Sequence, residues 1–188
     1  MRTAAGGHDL VVGGTGMLSQ LCVELARTGR KVSVLARDPG RLQRLADAES
    51  AIHPVPADYT DAQAIERALS AAIRRRGAIE RAICWIHDTA PAAPLAIATH
   101  VGSVYCHVLG SAAANPAAPE ILARWRAQFA ALPGLDYRIV VLGFVPGRSP
   151  GASRWLTDRE ICQGVGRALT VGGPISVVGA VEPWSARP

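Results

Sequence analysis

A short apolar run, His8–Gly13, leads into Val12-Gly13-Gly14-Thr15-Gly16-Met17-Leu18-Ser19, after which Met17, Leu18, Leu21, Cys22 and Leu25 recur at helical spacing. The order of strand, glycine loop and amphipathic helix restricts this chain more than any other feature. Gly13 allows the tight turn out of the strand. Gly16 lets the backbone approach a pyrophosphate seated on the amino end of the helix. Such glycine spacing is weak evidence on its own; its place between a strand and a helix makes the loop a dinucleotide-binding candidate. Gly13, Gly14, Thr15, Gly16, Met17 and Leu18 are the expected contacts.

The alternation continues along the chain. Gly29 stops the first helix, and Lys31–Ala36 reads as a second strand followed by an arginine-rich helix at Pro39–Ala48. Ile52–Pro56 is a weaker strand whose prolines suit a sheet edge. Thr60 and Gln63 read as a capping box for a helix carrying Ile65, Ala68, Leu69, Ala72 and Ile73. Arg81–His87, Ser103–Leu109, Tyr137–Phe144 and Ile175–Ala180 read as four more strands. Pro119 opens a helix with Leu122, Trp125, Phe129 and Leu132 on its apolar side, and Thr157 with Glu160 caps another, striped by Ile161, Val165, Ala168 and Leu169. The pattern predicts one doubly wound, Rossmann-like α/β domain over residues 1–188. Its mostly parallel seven-stranded sheet has the order 3-2-1-4-5-6-7, with helices on both faces. Pro146–Trp155, rich in Gly, Pro and Ser, is expected to be an irregular lid over the substrate side, bringing Arg148 and Arg154 to its rim.

Composition narrows the function classes. A length of 188 residues suits one domain, and 49% hydrophobic against 19% charged residues supplies a normal core. No apolar run approaches the ~20 residues of a membrane span, and the first residues carry no signal-peptide core. Cys22, Cys84, Cys106 and Cys162 lie far apart, without a Cys-x-x-Cys. A reduced, cytoplasmic setting without zinc is the expectation. The net charge is +5, but the arginines are dispersed and aromatic residues make up only 5%, which argues against nucleic acid as a partner. His100, Cys106 and His107 look metal-like on paper. Cys106 and His107 are neighbours on a strand, however, and point to opposite faces, so no metal site is expected. A small molecule is the expected partner, with homo-oligomerisation left open.

At the end of the second strand, where an NAD site usually has an acid for the ribose 2′-hydroxyl, stands Ala36-Arg37-Asp38, with Arg41 one turn on. A guanidinium suits a 2′-phosphate, so Arg37 favours NADP(H). Asp38 serves the ribose instead if the turn shifts by one residue. Here the sequence resembles the atypical and extended short-chain dehydrogenases/reductases. Val12–Ser19 is similar to their Gly-x-x-Gly-x-x-Gly loop. Ala57-Asp58 resembles the segment whose aspartate meets the adenine amino group. Ile86-His87-Asp88-Thr89-Ala90-Pro91 resembles the strand end that touches the cofactor ribose, which implies contacts from Thr89 and Ala90. Val108-Leu109-Gly110-Ser111 resembles the strand end carrying the catalytic serine or threonine. The likeness covers about residues 8–181 and is most specific in the first sixty.

Two departures matter. Ser19 stands where the family has its third glycine. The family's Tyr-x-x-x-Lys dyad is missing: Gln63, Leu109 and Val141 lie four residues after Tyr59, Tyr105 and Tyr137, and the sole lysine, Lys31, belongs to strand two. The helix that would carry the dyad has Arg124, Trp125, Arg126 and Gln128. Small atypical members resembling flavin and biliverdin reductases, or NADP-sensing regulators, also lack it. The expectation is an NADPH-dependent reductase of a small carbonyl, imine or activated alkene with a non-standard proton donor. His87 and Ser111 are its candidate catalytic residues. A non-enzymatic NADP(H)-binding regulator is the alternative, and an isomerase or dehydratase with bound cofactor is a third reading. Trp155 and Trp184 read as packing residues.

Overall fold

The computed structural model describes residues 6–86, 90–149 and 151–188. Seven parallel strands form its sheet: β1 (His8–Val12), β2 (Lys31–Ala36), β3 (Ile52–Pro56), β4 (Ile79–Trp85), β5 (Val101–Gly110), β6 (Asp136–Leu142) and β9 (Ile175–Val178). Their order is β3-β2-β1-β4-β5-β6-β9, the doubly wound arrangement expected from the alternation. β3 is an edge strand, where Pro54 and Pro56 cost no ladder hydrogen bond on the open side. Two short strands, β7 (Phe144–Val145) and β8 (Arg154–Trp155), pair antiparallel beside the sheet.

Among the described residues, six helices cover the two faces: α1 (Ser19–Arg27), α2 (Pro39–Ala48), α3 (Ala62–Arg76), α4 (Ala93–Ala98), α5 (Glu120–Phe129) and α6 (Asp158–Val171). Along β1 the side chains alternate. Val11 joins a core with Leu21, Leu42 and Val165 of α1, α2 and α6, whereas Leu10 and Val12 join one with Leu69, Ile97 and Phe129 of α3, α4 and α5. Strands buried on both faces read as continuous apolar runs, which is why β1 and β2 stand out in the sequence. Among the described residues, no helix is long and apolar enough to cross a membrane.

Several boundaries differ from the sequence reading. The capping box of Thr157 with Glu160 is present on α6, but Thr60 does not cap α3. Asp61 does so, its carboxylate accepting from the backbone N–H groups of Gln63 and Ala64, while the Thr60 hydroxyl donates to Asp58. The sixth strand stops at Leu142, because at Gly143 the backbone turns against the Ala180 carbonyl and any Cβ would strike it. The stretch expected to be wholly irregular closes as a ladder instead, with Phe144 opposite Trp155 and Val145 opposite Arg154. The α4 helix has no counterpart in the sequence reading.

The carboxyl ends of the strands carry the glycine loop, while the opposite end of β1 holds a buried ionic cluster. Asp9 has no exposed surface and accepts two hydrogen bonds from Arg30 (2.6 and 2.7 Å) and two from Arg81 (2.8 and 2.7 Å). Glu80 takes a further bond from Arg30 at 2.8 Å. Next to it His8 donates from Nδ1 to the Gly77 carbonyl and accepts at Nε2 from the Ser33 hydroxyl. Burial holds its pKa below the ordinary histidine value, so it packs as a neutral ring.

Candidate functional site

The strand order reverses between β1 and β4, so a crevice opens at their carboxyl ends. The glycine loop forms one wall. Gly13 has φ +76°, and its amide donates to the Leu35 carbonyl at 3.0 Å. A Cβ there would lie 2.6 Å from the Trp85 carbonyl, so both the backbone angle and the close approach require glycine. A Cβ on Gly14 would fall 2.8 Å from Cys22 Sγ and 2.9 Å from a Val34 methyl; Gly14 is the residue that lets α1 pack close to the sheet. Gly16 faces open space. Leu18 is fully buried, and its side chain belongs to the core rather than the crevice. The Met17 carbonyl accepts from Cys162 Sγ at 3.0 Å, which ties the loop to α6.

At the start of α1 no side chain caps the amide groups, and the first turn carries no acid. Uncapped amides and the positive helix end there suit an anion. A cavity of about 360 Å³ adjoins them, lined by Gly13, Thr15, Gly16, Met17, Arg37, Asp38, Arg41, Tyr59 and Trp85 among others. The exposed Arg37 guanidinium lies 5.3 Å from the centre of the Tyr59 ring, a cation–π contact that orients it. Asp38 is the N-cap of α2, its Oδ1 accepting from the Arg41 amide at 3.0 Å, with Pro39 following in the first turn. That capping role accounts for the aspartate without a ribose partner. The set fits a phosphate-bearing dinucleotide. Asp58 does not line this cavity; its Oδ1 accepts from the amide and hydroxyl of Thr60, which hold its carboxyl below the usual aspartate pKa.

Trp85, which ends β4, borders this cavity and two others. One, of about 320 Å³, lies between the end of β5 and α5 and is mainly apolar, with Leu109, Ile121 and Trp125 in its wall and Arg124 as its cation. Ala90 lines it, away from the glycine loop. His107 lies in its floor, 1% exposed, with Nδ1 sharing a hydrogen bond with Tyr137 Oη at 2.9 Å and Trp125 edge-on at 4.6 Å. Cys106, its neighbour on β5, points into the core on the opposite face.

The third cavity, about 270 Å³, holds Ser111. Ser111 is buried in the first turn of a short 3₁₀ segment after β5, and its Oγ accepts from Arg187 Nε at 2.9 Å. His87 and Thr89 lie outside the described residues. The Tyr-Lys pair cannot be assembled from elsewhere in the chain: Tyr105 is fully buried, Tyr137 is stacked on Phe129 at 3.8 Å, and Tyr59 sits beneath Arg37. Lys31 starts β2 at the far end of the sheet and donates to the Arg76 carbonyl. Arg154 is engaged by Glu160 through two bonds of 2.9 Å. Trp85, Tyr59 and Arg187 are site residues that sequence reasoning misses; the available signal is an aromatic residue ending the strand beside β1 for Trp85, and one three residues past β3 for Tyr59.

No family model and no curated protein matches the sequence. Solved structures do share the fold. The chain is similar to a 3-ketoacyl-(acyl-carrier-protein) reductase from Brucella melitensis complexed with NADH, with TM-score 0.72 and 16% identity over 94% of this chain and 98% of that one. It is similar to a short-chain type dehydrogenase/reductase from Mycobacterium marinum, with TM-score 0.72 and 15% identity over 93% and 94%. An actinorhodin polyketide ketoreductase with NADPH gives TM-score 0.74 and 14% identity over 95% and 98%.

Proposed function

We propose that this protein is an NADPH-dependent reductase of a small carbonyl, imine or activated alkene, built as a short-chain dehydrogenase without the tyrosine–lysine dyad. The observation that carries the reading is the pairing of an uncapped, acid-free α1 amino end with Arg37 at the other side of one cavity, the two places where a dinucleotide pyrophosphate and a 2′-phosphate need positive charge. The fold shared with reductases complexed with NADH or NADPH supports it. The apolar cavity beside Trp85 supports an enzyme, since a small substrate needs a water-poor pocket next to the reacting end of the cofactor.

The cofactor test is a titration of both nucleotides. NADPH is expected to bind more tightly than NADH. Arg37→Ala is expected to weaken NADPH about ten- to hundredfold, the worth of hydrogen bonds to a charged group, and to leave NADH unchanged. Equal binding of the two nucleotides, or an unaltered NADPH affinity in the variant, refutes the NADP assignment.

When bound, the nicotinamide supplies the hydride; the chain must then place a proton or a hydrogen bond at the substrate atom that gains charge. We assign that role to His87, with Ser111 orienting a substrate oxygen. His87→Ala is expected to lower kcat at least about a hundredfold with NADPH affinity intact, whereas Ser111→Ala should cost about 1 kcal/mol. Unchanged turnover in both variants would make solvent the proton source. The second reading, a regulator that binds NADP(H) without turning it over, is favoured by the burial of Tyr105 and by the stacking of half-buried Tyr137 on Phe129, away from the crevice. Cofactor binding with no NADPH consumption across carbonyl, imine and enone substrates would select it.

A further inference from the structure

After β9 the chain turns at Gly179, pairs Ala180 with Phe144 and closes a 3₁₀ turn at Trp184–Ala186. This brings Arg187 back across the ends of β5 and β6. Its guanidinium carbon lies 5.1 Å from the centre of the Trp155 ring and 5.0 Å from that of Trp184. Its Nε–H donates to Ser111 Oγ. Among the described residues, no carboxylate lies within ion-pair distance of Arg187, and its Nη groups have no protein acceptor. The side chain is therefore held by two indoles and a serine while the planar edge of the guanidinium is left for a ligand. It borders the cavity of about 270 Å³, whose other walls include Leu142, Leu156 and Ile161.

We propose that Arg187 and Ser111 form the receptor for a carboxylate on the substrate, so that the site takes small 2-oxo acids; the reducible carbonyl in this assignment rests on the reductase reading above. The chemistry favours a carboxylate over other anions. A guanidinium edge offers two parallel N–H groups matched to the two oxygens of a carboxylate. Because Ser111 Oγ already accepts from Arg187, its own proton is free to donate to the same ligand. A phosphate dianion would call for a second cation, and the nearby Arg154 is committed to Glu160. The indoles fix the arginine before binding, which lowers the ordering cost of capture. Arg187 thus takes the role expected of Arg148 and Arg154.

The test is calorimetric binding of 2-oxobutanoate and of its neutral analogue 2-oxobutanamide, with and without saturating NADPH, to wild type, Arg187→Gln and Arg187→Lys. Indole fluorescence and circular dichroism serve as checks on folding. The wild type is expected to prefer the acid. Arg187→Gln should weaken the acid about ten- to hundredfold and leave the amide unchanged, and Arg187→Lys should recover part of the loss. No binding of the acid, equal binding of acid and amide, or an unaffected Arg187→Gln overturns the proposal. The two readings fail separately: acid binding that depends on Arg187 in a protein with no affinity for NADPH removes the reductase and keeps the anion site. NADPH oxidation with neutral carbonyls alone does the reverse.

Discussion

Replacing Asp9 by alanine is expected to cost the fold about 3–5 kcal/mol, the usual penalty for removing one partner of a buried ion pair. Asp9 is fully buried and stands between two guanidiniums that are themselves nearly so, with side chains 2% and 8% exposed for Arg30 and Arg81. The four-residue cluster is balanced: two arginines against Asp9 and the half-exposed Glu80. Removing Asp9 leaves two cations facing each other across the first strand, with only the partly solvated Glu80 to offset them. A whole domain is commonly stable by only about 5–15 kcal/mol, so the loss is severe. Urea unfolding followed by circular dichroism measures it. Glu80→Gln removes a partly solvated partner and should cost much less, near ~1 kcal/mol. The cluster as a unit is not a large source of stability. Replacing Asp9, Arg30 and Arg81 together by leucine and methionines should restore most of what Asp9→Ala loses. A single Asp9→Ala within about 1 kcal/mol of wild type would show that water or chain relaxation neutralises the two guanidiniums.

The position of that cluster explains a division within the molecule. It sits at the amino ends of β1 and β4, whereas the glycine loop, Trp85 and Ser111 sit at the carboxyl ends. The glycine-loop side carries uncapped amides at the start of α1 and the exposed Arg37; the opposite end carries the paired charges of Asp9, Arg30, Glu80 and Arg81. Asp9→Ala should therefore reduce stability without changing the geometry around Arg37.

The fold is legible in the sequence because its signals are local and repeated. Strands covered on both faces appear as short apolar runs, and α1, α3 and α6 carry their core residues at helical spacing. The α4 segment, Ala-Pro-Leu-Ala-Ile-Ala, has no polar face to generate a period, so nothing in it distinguishes helix from coil. Thr60 and Asp61 are both good caps and adjacent; the choice between them is made by Asp58, which captures the Thr60 hydroxyl. The glycine loop and Arg37 are legible for the same reason as the fold: both lie at fixed places in a strand–helix unit. Arg187 is not, because its setting is made by Trp155 and Ser111, residues brought to it only by the closing of the β7–β8 ladder and the turn after β9. Long-range juxtaposition of this kind leaves no period and no motif.

His107 should make the protein acid-sensitive in a defined window. Its ring is buried against Trp125, Phe129, Tyr105 and Tyr137, and burial alone pushes its pKa down to about 4. In the unfolded chain it titrates near the reference value of about 6.5. Above that pH the ring is neutral in both states and contributes nothing to the pH dependence. Between about 6.5 and 4 the unfolded chain binds a proton that the folded protein refuses, so stability falls as the pH drops, by about 3 kcal/mol in all. Below about 4 both states are protonated and this contribution stops changing. His8 and His53, whose pKa values are also lowered by burial, act in the same direction, so the wild-type slope contains more than one histidine. Urea unfolding of wild type and His107→Gln at about pH 7.5, 5.5 and 4.5 separates them: the variant should lose about 2.5 kcal/mol less over that interval. Identical acid-side slopes in the two proteins would mean that the His107–Tyr137 pair is opened to water before it is charged. Because His107 lines the apolar cavity between the end of β5 and α5, that same opening would admit water to this cavity. Binding of an apolar probe there should then weaken over the same pH interval in which the ring takes up its proton.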